Sequence, residues 1–222
     1  IVNKPKGMVV HPSAGHYTGT LVNAIMYHCK DSLSGINGEI RPGIVHRIDM
    51  DTTGSLIVCK NDEAHRKIAQ QLKEHSITRK YRAIVYGRIM EEEGTVNAPI
   101  GRHPTDRKKM AINEKNGKPA VTHYKVLERF DKYTYIECQL ETGRTHQIRV
   151  HMTSIGHPLL GDTLYHSDDK ISSCASFSRA ALHAWKVSFQ HPFRDEMLLL
   201  EAPLPFDFRE LVSLSGSDLL SI

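Results

Sequence analysis

The chain has 222 residues, of which 40% are apolar and 24% charged, a composition typical of a globular protein and not of a disordered or fibrous one. Its net charge of +4 permits a nucleic-acid partner without requiring one. No apolar run approaches the ~20 residues that a membrane-spanning helix needs, so we expect no membrane partner. The four cysteines lie far apart with no CxxC pair. Reduced thiols and a cytoplasmic location are therefore expected, and not a disulfide or zinc scaffold.

Hydrophobic periodicity predicts helices and short strands that do not alternate strictly. This order favours the α+β class over a doubly wound sheet, in a single domain over residues 1–222. In the strand predicted at 133–140, Ile136 and Cys138 alternate with Glu137 and Gln139, which is typical of a sheet with one solvated face. The predicted elements, in chain order, are a helix at 18–30, a buried strand at 54–60, a helix at 62–75, a strand at 81–87, a hairpin of strands at 121–127 and 133–140, and a helix at 145–155.

The helix at 145–155 has the clearest boundaries. Thr145 can serve as its N-cap, and Gly156 can end it in the left-handed conformation. We expect its buried stripe to consist of Ile148, Met152 and Ile155.

The densest polar cluster is the segment HRIDMDTTG at residues 46–54, which lies between two apolar runs. Charges placed at the edge of a core need partners, because their desolvation is costly. A surface turn and an active site are equally compatible with this cluster. A third interpretation is a metal site formed by His46, Asp49 and Asp51, although the spacing matches no helical HExxH or EF-hand pattern.

A second cluster, TGRTHQIR at residues 142–149, precedes and enters the last predicted helix. The N-terminus of a helix offers backbone N–H groups and a positive dipole end, which favour a phosphate or a carboxylate near Arg144. An ordinary capped helix with an exposed Arg144 is the alternative. Arg149 lies more than one turn into the helix beside the apolar stripe, so we expect it to pair with a carboxylate.

Two further basic segments suit contacts with nucleic acid. Residues 78–82 (TRKYR) place cations around Tyr81 at the start of a strand, where a ring could stack on a base. Residues 101–110 form a basic, irregular loop that includes Arg107, Lys108 and Lys109 and could contact a phosphate backbone. The alternatives are a solvated strand edge and a solvated loop.

Taken together, several segments resemble the pseudouridine synthases of the RluA/RluD type, in the order of that family and over nearly the whole chain. The loop at 101–110 resembles the branch that acts on ribosomal RNA. Thr53 stands where the family more often has Ser, which keeps the hydroxyl. The segments are residues 3–7 (NKPKG) with 10–12 (VHP), 46–49 (HRID) with 52–54 (TTG), 80–81 (KY), 143–151 (GRTHQIRVH), 161–162 (GD) with Tyr165, and 182–184 (LHA).

The resemblance implies an isomerase that converts uridine in RNA to 5-ribosyluracil and needs no cofactor, since the reaction involves no net redox change and no group donor. Asp49 matches the catalytic aspartate. Its carboxylate can act as a nucleophile toward the sugar or the base, or can remove the C2′ proton, and the sequence leaves these routes open.

Other roles follow from the same resemblance. Arg149 matches the arginine that pairs with the catalytic carboxylate, and Tyr81 matches the ring that stacks on the target base. Arg47 resembles the residue that fills the gap left by the everted nucleotide, with His46 beside it. The remaining expected RNA contacts are Leu182 as a wall of the base pocket, Arg144, Arg107, Lys108 and Lys109.

The family fold implied is a curved, mixed but mainly antiparallel sheet flanked by helices, with a central catalytic cleft. The expected partner is an RNA stem-loop in large-subunit (23S) ribosomal RNA, with transfer RNA as the alternative. A catalytically silent RNA-binding relative and a metal-dependent hydrolase are the rival functions. We expect a monomer, in which the N-terminal S4 domain that many relatives carry is either absent or not covered by residues 1–222.

Overall fold

The computed structural model describes residues 1–13, 15–30, 32–38, 41–166, 177 and 179–214. These residues form two compact units. The described residues within 1–79 and 184–203 form unit 1, and those within 80–183 and 204–214 form unit 2. The predicted single domain over 1–222 stays a prediction.

Unit 1 combines two helices with a small sheet. Its strand order is β1-β2-β9, and β10 pairs with β9 in the antiparallel sense. β1 pairs antiparallel with β2, with Lys4 opposite Gly54. The elements are β1 (Val2–Lys4), α1 (Leu21–Cys29), β2 (Thr53–Leu56), α2 (Asp62–Lys73), β9 (Leu182–Gln190, whose first two residues belong to unit 2) and β10 (Met197–Glu201).

The local sequence explains where both helices of unit 1 begin. Thr20 and Asn23 form a reciprocal capping box at α1, and the Asn61 side chain accepts a hydrogen bond from Ala64 N at α2. Asp62 and Glu63 then complement the helix dipole in the first turn of α2. The core beneath α2 consists of Ile57, Cys59, Ala64, Ile68, Ile77, Val187 and Phe189.

Unit 2 contains a sheet of order β3-β8-β7-β4, a separate two-stranded hairpin β5-β6, and two helices. Buried side chains that include Ile84, Tyr135 and Phe208 form a hydrophobic core in this unit. The elements are β3 (Thr78–Tyr86, whose first two residues belong to unit 1), β4 (Glu93–Asn97), β5 (Ile100–Arg102), β6 (Met110–Ile112), β7 (Val121–Arg129), β8 (Tyr133–Leu140), α3 (Gln147–Ser154) and α4 (Phe206–Leu214).

The class prediction is confirmed, because the described residues form four helices and mainly antiparallel sheets. The predicted hairpin is present as β7 and β8, with a bulge between Val126 and Glu128. On β8, Ile136 and Cys138 are fully buried, as the alternation predicted. The predicted curvature and central cleft stay predictions.

The predicted boundaries of the last helix are partly wrong. Thr145 does not cap α3: His146 occupies the N-cap in the left-handed conformation (φ 56°) and makes no side-chain cap hydrogen bond. Gly156 has the expected positive φ of 85°. Ile148 and Met152 are buried, but Ile155 is 37% exposed because it follows the last helical residue, Ser154, and leaves the helix surface.

The segment at 101–110 is also more regular than expected. Its ends belong to β5 and β6, whose pairing places Arg102 opposite Met110. Only the connecting residues 103–109, which we call the basic loop, lie outside the strands.

Candidate active site

The turn that carries Asp49 is held inside unit 1 by a buried cation. The Lys4 side chain is fully buried, and its ammonium group donates hydrogen bonds to the carbonyl oxygens of Pro5 (2.8 Å), Met8 (2.8 Å) and Met50 (2.7 Å). The Asp49 carbonyl accepts from Thr52 N at 3.2 Å and closes the turn. Lys4 therefore ties the residue next to Asp49 to β1.

Gly54 fixes the chain immediately after this turn. Its φ is +112°, and a Cβ at this position would lie 2.2 Å from the carbonyl oxygen of Ala184, which also belongs to unit 1. Any larger residue would collide with that backbone, so the close approach requires glycine.

His46 has a structural hydrogen bond in the same unit. Its Nε2 accepts from Ile57 N at 3.0 Å. Desolvation, with a smaller contribution from the Arg79 charge, lowers the pKa of His46 to about 3. A neutral ring can accept this bond, whereas a protonated ring has no lone pair to offer.

The metal interpretation has no support in the geometry. Among the residues that the structure describes, no three His, Cys, Asp or Glu side chains come together as possible metal ligands. His46, Asp49 and Asp51 all lie within the described ranges, so they do not form such a group. Two residues separate His46 from Asp49 in the sequence: Arg47 is exposed, and Ile48 is buried.

Arg149 is held in unit 2 by Asp162. Its Nε donates to Oδ2 at 2.7 Å and its Nη2 to Oδ1 at 2.8 Å, in a bidentate pair. The Asp162 carboxylate is almost completely buried, and its Oδ1 also accepts from Leu164 N at 3.2 Å. The expectation that Arg149 pairs with a carboxylate is met by this residue. The specific pairing of Arg149 with Asp49 stays a prediction.

A tyrosine and a histidine extend this arrangement. The Arg149 guanidinium lies 5.0 Å from the centre of the Tyr165 ring, a cation–π distance. The Tyr165 hydroxyl accepts from Met110 N at 2.9 Å and is hydrogen-bonded to His146 Nδ1 at 2.8 Å. Arg149 is thus connected, through Tyr165, to the first residue of β6.

The turn before α3 is closed by Gln147, which is 3% exposed. Its Oε1 accepts from Arg144 N and from the Thr142 hydroxyl, and its Nε2 donates to the Val121 carbonyl. The Arg144 side chain is half-buried and donates through Nε to the Pro119 carbonyl at 2.9 Å. The sequence suggested backbone N–H groups near Arg144 for an anion, and one of them, Arg144 N, already donates to the Gln147 side chain.

Tyr81 and its basic neighbours are less exposed than a solvated strand edge would be. Tyr81 is buried on β3. Lys80 (2.7 Å) and Arg82 (3.5 Å) share the Glu137 carboxylate, so each of these cations has a partner within the protein. Leu182 is buried, and its carbonyl accepts from Arg179 Nη1 at 3.3 Å.

The basic loop presents two exposed cations among the predicted RNA contacts. Arg107 and Lys108 are exposed and Lys109 is half-buried. The loop is internally hydrogen-bonded: Lys108 N donates to Asp106 Oδ1 at 2.9 Å, and His103 N donates to the Lys109 carbonyl at 3.1 Å. Charged side chains on an ordered hairpin can contact phosphates with little loss of backbone entropy.

The sequence assigned no role to three side chains that hold parts of the site in place in the structure. Lys4, Asp162 and Gln147 are buried polar groups whose partners lie far away along the chain or in irregular backbone. Lys4, Asp162 and Gln147 do fall in segments singled out for their resemblance. That is the signal that could have pointed to them.

Comparisons with known proteins agree with these motifs. The family described as RNA pseudouridylate synthase matches residues 1–154. An uncharacterized RNA pseudouridine synthase of Bacillus subtilis is 57% identical over 96% of this chain and 68% of its own length. The ribosomal large subunit pseudouridine synthase D of Zymomonas mobilis is 51% identical over 95% of this chain and 68% of its own length.

The fold agrees as well. The structure of human RNA pseudouridylate synthase domain containing 1 is similar with a TM-score of 0.71 and 28% identity, over 92% of this chain and 79% of that one. The chain belongs to the RNA pseudouridylate synthase family. This membership confirms the predicted class of protein, an isomerase that acts on RNA. The chain spans about two thirds of the length of the curated relatives it matches. No helix in the described ranges has the length and apolar content needed to cross a bilayer.

Proposed function

We propose that this protein converts specific uridines of large-subunit ribosomal RNA to pseudouridine. The observation that carries the proposal is the similarity, at 51% identity over 95% of the chain, to a relative named as a ribosomal large subunit pseudouridine synthase. Transfer RNA is the alternative substrate. A monomer in the cytoplasm, with residues 1–222 as one catalytic domain, completes the proposal.

In this proposal, Asp49 is the catalytic residue. Its turn is anchored by the Lys4 ammonium group and by the close approach of Gly54, which supports a fixed position for the carboxylate. Fixing a reacting group in advance lowers the entropic part of the barrier. The carboxylate acts either as a nucleophile or as the base at C2′.

Arg149 and Tyr81 complete the proposed catalytic set. A guanidinium held by Asp162 keeps a fixed direction, which suits it to stabilise a second carboxylate or a developing negative charge. Tyr81, buried on β3, is proposed to stack on the target uracil and to assist proton transfer at C5.

The remaining predicted residues are proposed to bind and evert the nucleotide. Arg47 would fill the space left in the RNA, with His46 supporting its segment and Leu182 lining the pocket. The cations of the basic loop, namely Arg107, Lys108 and Lys109, together with Arg144, would contact phosphates.

The substitution Asp49→Asn tests the proposal. We expect it to abolish turnover of a large-subunit ribosomal RNA transcript, since the amide is neither a nucleophile nor a base, while RNA affinity changes little. Formation of pseudouridine can be followed as release of tritium from [5-³H]uridine in the transcript, because the C5 hydrogen is lost when the new bond forms.

The control is Asp131→Asn, the same chemical change at an exposed position in the turn between β7 and β8, which should keep normal turnover. Undiminished turnover by Asp49→Asn would refute the catalytic role. Loss of the wild-type activity in EDTA would favour the metal-dependent hydrolase, and RNA binding without turnover by the wild-type protein would favour the silent relative.

A further inference from the structure

The hydroxyl of Tyr165 connects two parts of unit 2, one proposed to act in catalysis and the other proposed to bind RNA. One is α3, which carries Arg149. The other is the β5–β6 hairpin, which carries the basic loop. The hydroxyl accepts a hydrogen bond from Met110 N at 2.9 Å. Since its own proton remains available, it can donate to His146 Nδ1, 2.8 Å away at the N-cap of α3.

The ring of the same tyrosine lies against the guanidinium of Arg149, 5.0 Å from its carbon atom. Asp162 holds this group through two hydrogen bonds, and its Oδ1 lies 3.4 Å from Tyr165 N. The position of the Tyr165 ring and the direction of the guanidinium therefore depend on each other.

Met110 is the first residue of β6 and follows Lys109 directly. Its partner in the hairpin register is Arg102, and His103 N closes the loop on the Lys109 carbonyl at 3.1 Å. A phosphate bound by Lys108 and Lys109 would therefore act on backbone that is one residue away from the hydrogen bond to Tyr165. The hairpin itself packs on Val150 of α3 through Ile100.

We infer that Tyr165 is a positioning residue: it couples the binding of RNA by the basic loop to the position of the Arg149 guanidinium. The inference rests on the proposed function. Its consequence is that an RNA held by the loop reacts faster once bound, in addition to binding more tightly. Binding energy from a remote part of the substrate would thus be used at the reacting centre.

A double-mutant cycle tests the coupling. Tyr165→Phe removes the hydroxyl and keeps the ring over Arg149, and the paired change Lys108→Ala with Lys109→Ala removes the loop charges and keeps the backbone. Single-turnover rate constants are measured at saturating enzyme on a large-subunit ribosomal RNA transcript, and Kd is measured separately.

In the wild-type background we expect the loop change to weaken binding and also to lower the saturating rate constant. In the Tyr165→Phe background the loop change should still weaken binding, but it should no longer affect the rate constant. The coupling factor is the effect of the loop change on the rate constant in the wild-type background divided by its effect in the Tyr165→Phe background. It should be at least about threefold. A purely structural role of the hydroxyl would lower the melting temperature without producing this factor.

The matched control is Tyr124→Phe on β7, where the loop change should retain its full effect on the rate constant. If Tyr165→Phe folds poorly, His146→Ala removes the other partner of the hydroxyl, and in this background too the loop change should have a smaller effect on the rate constant. Equal effects of the loop change in all backgrounds would overturn the inference. Such additivity in an active enzyme leaves the proposed function intact, whereas absence of turnover by the wild-type protein would refute the proposed function itself.

Discussion

At the residue scale, Lys4, Arg149 and Arg179 are cations with little or no solvent exposure, and each is held by fixed oxygen acceptors. Three carbonyl groups surround the Lys4 ammonium, and carboxylates bind Arg149 and Arg179 in bidentate fashion. A buried charge without such partners would cost several kcal/mol. Each cation therefore fixes the backbone or side chain that accepts its hydrogen bonds, and Lys4 does this beside Asp49.

His46 makes stability sensitive to mild acid. The unfolded chain binds a proton near pH 6.5, while the folded chain does so only near pH 3, because burial lowers the pKa of His46. Its contribution is therefore present above pH 6.5 and decreases as the pH falls below that value. From pH 7.5 to 5, His46 alone should cost about 2 kcal/mol of unfolding free energy.

The measurement is urea unfolding of the wild type and of His46→Gln between pH 5 and 7.5. Glutamine can accept the hydrogen bond from Ile57 N without titrating, so the variant should lose less stability on acidification. Burial also lowers the pKa of His11, His65 and His151, but these residues remain in both proteins and cancel in the difference. Identical pH profiles would show that His46 does not titrate as described.

The sequence could indicate that Arg149 needs a carboxylate, but not which one. The requirement follows from its place beside an apolar stripe, a local property. The bidentate partner, Asp162, lies beyond the end of α3, in irregular backbone that follows no hydrophobic period. Lys4 was missed for the same reason, since one of its three acceptors, Met50, is 46 residues away.

At the element scale, segments with strong local patterns were predicted well. Helix α2 and the β7–β8 hairpin lie close to their predicted ranges, because capping residues and alternation mark them. Strands β4, β5, β6, β9 and β10 and helix α4 were missed. β5 and β6 have three residues each, too few for a period to show, and their burial depends on contacts distant in sequence.

The β5–β6 hairpin carries the next prediction. If the basic loop neutralises phosphates, reversing Lys108 and Lys109 to Glu should weaken RNA binding and reduce its salt dependence. The slope of log affinity against log salt should become shallower by about 0.7 for each lost phosphate contact. Filter binding to the ribosomal RNA transcript at several salt concentrations gives this slope.

The comparison variant reverses two exposed lysines of unit 1, Lys60 and Lys73, and changes the net charge by the same amount. It should leave the slope near the wild-type value. If both double reversals flatten the slope equally, the effect comes from net charge, and the basic loop is not a specific contact.

At the scale of the whole molecule, the order of motifs along the chain was more informative than any single motif. The family match over residues 1–154 includes residues of both units. The reaction class could be predicted from the sequence, since Asp49 and its flanking residues lie in segments typical of the family. The particular uridine that is modified could not, because its choice depends on long-range surface complementarity and not on local spacing.

The central claim is that this protein forms pseudouridine in large-subunit ribosomal RNA through Asp49. Pseudouridines should be mapped in total RNA from cells with the gene, without it, and complemented with the wild type or with Asp49→Asn. We predict that specific large-subunit sites lose the modification without the gene and regain it only with the wild-type chain. Unchanged ribosomal sites in the deletion, or full restoration by Asp49→Asn, would contradict the account.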